Sequence, residues 1–126
     1  MALMIISVPH VLEDFHYGDL LGFGAPPAVA AALLFAAYAP QIAGIALTMR
    51  GLRVGAVLLG ITGAVWCVGA VFAHGHDLLF AGPEYRHGPI SKVLEIAIII
   101  LSAAVALESV VASRALKRTK QIGHTP

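Results

Sequence analysis

Two imidazoles and a carboxylate stand almost side by side in His74-Gly75-His76-Asp77. Neutral imidazole suits zinc and copper, and a nearby carboxylate completes or orients the coordination shell. A His-x-His pair needs a third ligand from elsewhere. His87 offers one further along the same segment, and the N-terminal stretch offers His10, Glu13, Asp14 and His16. On a helix His10 and Asp14 fall at i and i+4, so they share a face and can grip one ion. The candidate metal ligands are therefore His10, Glu13, Asp14, His16, His74, His76, Asp77 and His87, with copper or zinc as the expected transition metal. Haem is disfavoured by position. Bis-histidine haem in a bundle needs histidines deep on facing helices, whereas here they lie outside apolar runs or at their ends. A quinol-type proton relay would draw on the same imidazoles. No Walker loop, nucleophile constellation or HExxH motif appears, so nothing supports a hydrolase.

The elements that must position these groups are apolar. Hydrophobic residues make up 59% of the chain and charged residues 12%, against about 25% charged in an ordinary soluble domain, and mean hydropathy is +0.87. This composition describes an all-α membrane protein, a single domain over residues 1–126 whose first partner is the lipid bilayer. A formal charge of +1 points to no nucleic acid. The lone Cys67 excludes an intrachain disulfide and a CxxC site. The opening Met-Ala-Leu-Met-Ile-Ile lacks a basic n-region and is broken by Pro9 and His10, so no cleaved leader is expected.

Three transmembrane helices and one short helix follow from the pattern. Val8, Val11, Leu12 and Phe15 recur at helical spacing over residues 8–17, with His10, Glu13, Asp14 and Tyr17 opposite. This predicts a short amphipathic interfacial helix, with Pro9 in its first turn and Gly18 at its end, lying flat over the mouth of the bundle. Charge-free runs over 28–49 and 54–73 form the first and second spans, joined by the basic turn Arg50-Gly51-Leu52-Arg53. The segment 74–90 reads as a histidine-rich connector, and its Gly-Pro turns would present Tyr85, Arg86 and His87. The third span covers 93–113, and a frayed basic tail covers 114–126.

Within the spans four polar side chains stand out: Tyr38, Gln41, Glu95 and Glu108. Gln41 would be costly facing lipid. Glu95 has a sufficient structural explanation in the first turn of the third span, near Lys92. Glu108 lies deeper, where a carboxylate could bind a proton or cation. Ala56, Gly60 and Ala64 form a small-residue ladder that admits a close neighbour, so a homo-oligomer or a complex with other membrane subunits is expected. Arg50, Arg53, Arg114, Lys117, Arg118 and Lys120 fall on one side of this topology and only Arg86 and Lys92 on the other. That bias places the C-terminus in the cytoplasm, and the N-terminus and the histidines on the extracytoplasmic side. The N-terminal helix and the connector should touch.

Tyr38-Ala39-Pro40-Gln41-Ile42, followed by the basic turn and a small-residue-rich span with Trp66, resembles a PQ-loop repeat of the three-helix sugar-transporter type over roughly residues 28–112. The resemblance implies a small-solute transporter protomer that acts as a dimer, with Pro40 as a hinge and Trp66 as a pocket wall. The histidine connector and the N-terminal helix depart from that pattern, and the third span lacks the asparagine such transporters use for substrate. The residues favour another reading, a small membrane subunit whose extracytoplasmic histidine and carboxylate cluster binds a transition metal, within a metal-dependent membrane enzyme or a metal-handling complex. A purely structural subunit would need no site.

Overall fold

The structure, a computed structural model, describes residues 1–17, 26–80 and 88–122, with side chains as far as residue 117. Four helices make up the described chain: α1 Ala2–Tyr17, α2 Pro27–Met49, α3 Arg53–Phe80 and α4 Pro89–Ile122. The last three are each long and apolar enough to cross a membrane, as the charge-free runs predict. Pro27 opens α2, where its missing amide costs nothing. Gly51 makes the turn between α2 and α3 at a φ of 72°, in the left-handed region that disfavours other residues.

Burial is inverted relative to a water-soluble bundle. Ser7, His10, Asp14, Gln41, Thr62, Ser91, Glu95, Ser102 and Ser109 are buried, while Phe35, Phe72, Leu107 and Val111 are largely exposed. Apolar side chains gain nothing by leaving lipid, whereas polar ones must find partners inside. Many do so locally. The hydroxyl of Thr62 donates to the Leu58 carbonyl, that of Ser102 to the Ile99 carbonyl at 3.0 Å, and that of Thr48 to the Gly44 carbonyl at 2.8 Å. The chain is an integral membrane protein.

α3 packs most extensively on α4 and next on α2, and α1 packs on α4. Glycine sets the α3–α4 distance. A Cβ added to Gly63 would stand 2.8 Å from the Ala106 amide nitrogen and 2.8 Å from the Ser102 carbonyl oxygen. Ala56 is 1% exposed, and a Cβ on Gly60 would meet Ser109, whereas Ala64 is exposed. The small-residue ladder thus turns from Ala56 and Gly60 to Gly63, and it receives α4 of the same chain. The face that suggested a second copy is occupied within one molecule.

α1 begins six residues before its expected start, so Pro9 falls in its interior instead of its first turn. The expected flat lie across the mouth of the bundle gives way to a course along its flank. Met1 shares a cavity wall with Thr48, Ala56 and Glu108, Ser7 accepts a 2.9 Å hydrogen bond from the Tyr38 hydroxyl, and His10 meets His74. At about 1.5 Å per residue, sixteen residues reach some 24 Å along the bundle. Leu3, Ser7, His10 and Asp14, spaced by four, three and four, form the buried face. Leu12, on the apolar face, is 62% exposed. The polar stripe of α1 faces inward because its surroundings are apolar.

α4 also outruns its expected length. It continues through Ile122, so the stretch expected to fray after residue 113 is helical as far as that residue. Lys and Arg are good helix formers, and nothing between Arg114 and Ile122 breaks the period.

Candidate metal centre

The second span does not end at Ala73. Leu78, Leu79 and Phe80 carry the helical pattern onward, and Gly75 costs only about 1 kcal/mol inside a helix, so α3 runs to Phe80. The first half of the expected connector is therefore helix, and the histidine-rich loop is corrected to a helical end. Residues 81–87, including Arg86 and His87, lie outside the described residues, and Pro89 and Ile90 already belong to α4. On a helix, residues two apart point to nearly opposite sides. The His-x-His pair consequently splits. His74 turns inward, while His76 is exposed with its Nδ1 3.2 Å from Oδ1 of its neighbour Asp77. His16 is likewise turned away, six residues past His10, exposed and stacked edge-on against Tyr17.

His10, Asp14 and His74 do converge. Each offers a ligand atom within 4.8 Å of the others, and the two imidazole rings meet edge to face with centroids 5.1 Å apart. The expected contact between the N-terminal helix and the histidine segment is thus present, on His10 and His74. Nε2 of His10 lies 3.6 Å from Oδ2 of Asp14, and Nδ1 of His10 lies 3.7 Å from Oε2 of Glu13. His10 is 3% exposed. Both its ring nitrogens are buried without a hydrogen-bond partner among the described residues.

Glu95 completes the group, and the sequence reading had placed it elsewhere. α4 starts at Pro89, which puts Glu95 in the second turn, 2% exposed. Its Oε1 is 3.2 Å from Nδ1 of His74 and 3.8 Å from Nε2 of His10. A signal was available in the spacing of Ser91, Glu95 and Ser102, a polar stripe at helical period inside an isoleucine-rich span. That stripe marks the face of α4 turned to α1 and α3.

The His10–Asp14 spacing suits a cation better than a direct hydrogen bond, whereas His74 and Glu95, 3.2 Å apart, are within hydrogen-bond reach. Two ligands on a tetrahedral ion, each about 2.0–2.1 Å from it, are about 3.4 Å apart. The 3.6 Å between His10 and Asp14 is close to that edge and too long for a hydrogen bond. One outer contact fits as well. Glu95, 3.2 Å from Nδ1 of His74, would orient that ring and leave its Nε2 for the ion, while Glu13 stands 3.7 Å from Nδ1 of His10, near the ring but outside hydrogen-bond reach. An ion of +2 would offset the charges of Asp14 and Glu95, with Glu13 one further acid at the edge of the group. Without a cation, clustered carboxylates in this setting carry a large desolvation cost. The chain matches no known protein family, and no significant match is found among curated proteins or solved structures.

The group borders a cavity of about 310 Å³ walled by all four helices, including Leu34, Trp66 and Ile98. Trp66 stacks against Tyr38 at a centroid distance of 5.1 Å. The other intramembrane polar residues gather toward the opposite end. Gln41, 2% exposed with its Oε1 unpartnered among the described residues, shares a second cavity of about 260 Å³ with Thr48, Ser109 and Glu108. Pro40, next to it, is accommodated inside an uninterrupted α2.

Proposed function

We propose that the protein holds one divalent transition-metal ion between α1, α3 and α4 and serves metal-dependent chemistry or metal handling at the membrane. His10, Asp14 and His74 act as ligands, and Glu95 orients the His74 imidazole. The observation that carries this reading is the convergence of three buried or half-buried ligand atoms within 4.8 Å. Two histidines and one carboxylate leave an open position, the pattern of a site that works on a bound molecule more than of a closed structural one. Zinc, copper and ferrous iron all accept such a donor set.

Elemental analysis of protein purified without an affinity tag tests the reading. One metal ion per chain is expected in the native protein and in His76→Ala. Glu95→Gln should bind the same ion about 10–100-fold more weakly, as loss of an orienting partner does. The double variant His10→Ala, His74→Ala should carry none. Equal metal in the double variant and the native protein would sink the proposal.

The charge bias supports an orientation with the metal group facing away from the cytoplasm. Arg50 and Arg53 sit at the α2–α3 turn and Arg114 and Lys117 late in α4, at the bundle end remote from His74. In this orientation the C-terminus is cytoplasmic, and Met1 lies at the depth of Thr48, toward the basic end. A Cys67→Ser, Leu79→Cys protein should react with an impermeant maleimide from outside the cell. Reaction only after the cytoplasmic face is opened would reverse the orientation.

A further inference from the structure

α1 and α2 do not close on one another. Between them lies a gap of about 340 Å³ walled by Val8, Phe15, Ala31, Phe35 and their neighbours. Tyr38 supplies the one polar atom of that wall, and its hydroxyl is engaged with Ser7. A ligand in the gap is therefore offered carbon alone. Leu12 and Phe35, 62% and 78% exposed, stand on the wall and open outward, and α2, which carries Phe35, is one of the three helices long and apolar enough to cross a membrane. Val11 and Leu34 line both this gap and the cavity that holds His10, Asp14, His74 and Glu95. That pair of side chains is the wall common to the two spaces, and a change of rotamer there would join them.

We infer that the metal group takes its ligand from the bilayer through the α1–α2 gap, and that this ligand is a long-chain amphiphile with a neutral oxygen-donor head. The inference rests on the metal reading above and names the substrate class of that site. The chain would occupy the gap, where burying each methylene is worth about 0.8 kcal/mol. The head would reach the open position on the ion beside Trp66. Neutrality follows from charge, because Asp14 and Glu95 already balance a divalent ion and Glu13 adds a further negative charge at the rim. A carboxylate head would meet that excess and be repelled.

Photolabelling of the metal-loaded protein in liposomes provides the test, using a diazirine-bearing long-chain alcohol and the fatty acid of equal length. Label from the alcohol is expected on Ala31, Leu34 and Phe15, displaced by unlabelled alcohol and stronger than label from the acid. Filling the gap from α2 with Ala31→Trp, or from α1 with Val8→Trp, should cut that label about tenfold while metal content stays at the native level. Label spread evenly over Phe72 and Leu107 would mean ordinary lipid contact and overturn the proposal. So would undiminished label in both tryptophan variants, or stronger labelling by the acid. Gap labelling on a protein that binds no metal would instead remove the metal reading and leave the portal standing.

Discussion

Zinc supplied at about a hundred times its dissociation constant is expected to stabilise the protein by about 2.7 kcal/mol against unfolding, and His10→Ala should abolish that gain. On the proposed reading the ion would bind only where α1, α3 and α4 are assembled, since His10, His74 and Glu95 come from three separate helices. Binding free energy then appears directly as folding free energy. Thermal unfolding in detergent micelles, with and without the ion and followed by a chelator, measures the effect. His76→Ala should keep the full shift, because that imidazole points away from the group. An equal shift in His10→Ala and the native protein would locate the zinc effect elsewhere.

The second large effect concerns the α3–α4 contact that holds His74 and Glu95 in register. Gly63→Leu puts a side chain where a Cβ alone would stand 2.8 Å from two backbone atoms of α4. Backbone cannot swing aside as a flexible side chain can, so the helices must separate, at a cost of about 3 kcal/mol. Gly69→Ala is the matched control. A Cβ there meets nothing within 4 Å, and helix propensity favours the change by up to about 1 kcal/mol. Comparable destabilisation of both variants, read from unfolding midpoints, would show that close packing at Gly63 is not what holds the pair.

Span count and helical class were legible because hydropathy over some twenty residues is a strong signal and the bilayer thickness fixes the length it must have. The touching of α1 and the histidine segment was legible from topology and charge bias. Three things were not. The end of α3 was misplaced because Gly75 and two histidines look like loop, while the deciding residues, Leu78 to Phe80, lie after them. That error kept His76 beside His74 as a ligand, a pairing that helical geometry forbids. Glu95 was assigned to the helix dipole because one helix at a time offers a local explanation for a carboxylate. Its partners, His10 and His74, are far away in the sequence and become visible only when four helices are packed. The lie of α1 was not legible for a related reason: helical periodicity identifies two faces, and the surrounding medium decides which one turns in.

The polarity of α1 also constrains how the molecule is made. A helix that carries His10, Glu13 and Asp14 has no reason to enter hydrocarbon by itself, where a single mid-bilayer acidic residue costs about 2.5–3.5 kcal/mol on the insertion scale. It becomes stable at depth only against Glu95 and His74, which belong to helices that emerge from the ribosome after it. Of the four helices, α1 is made before the partners that let its polar face settle. Until α4 is in place, His10 and His74 have no Glu95 to meet.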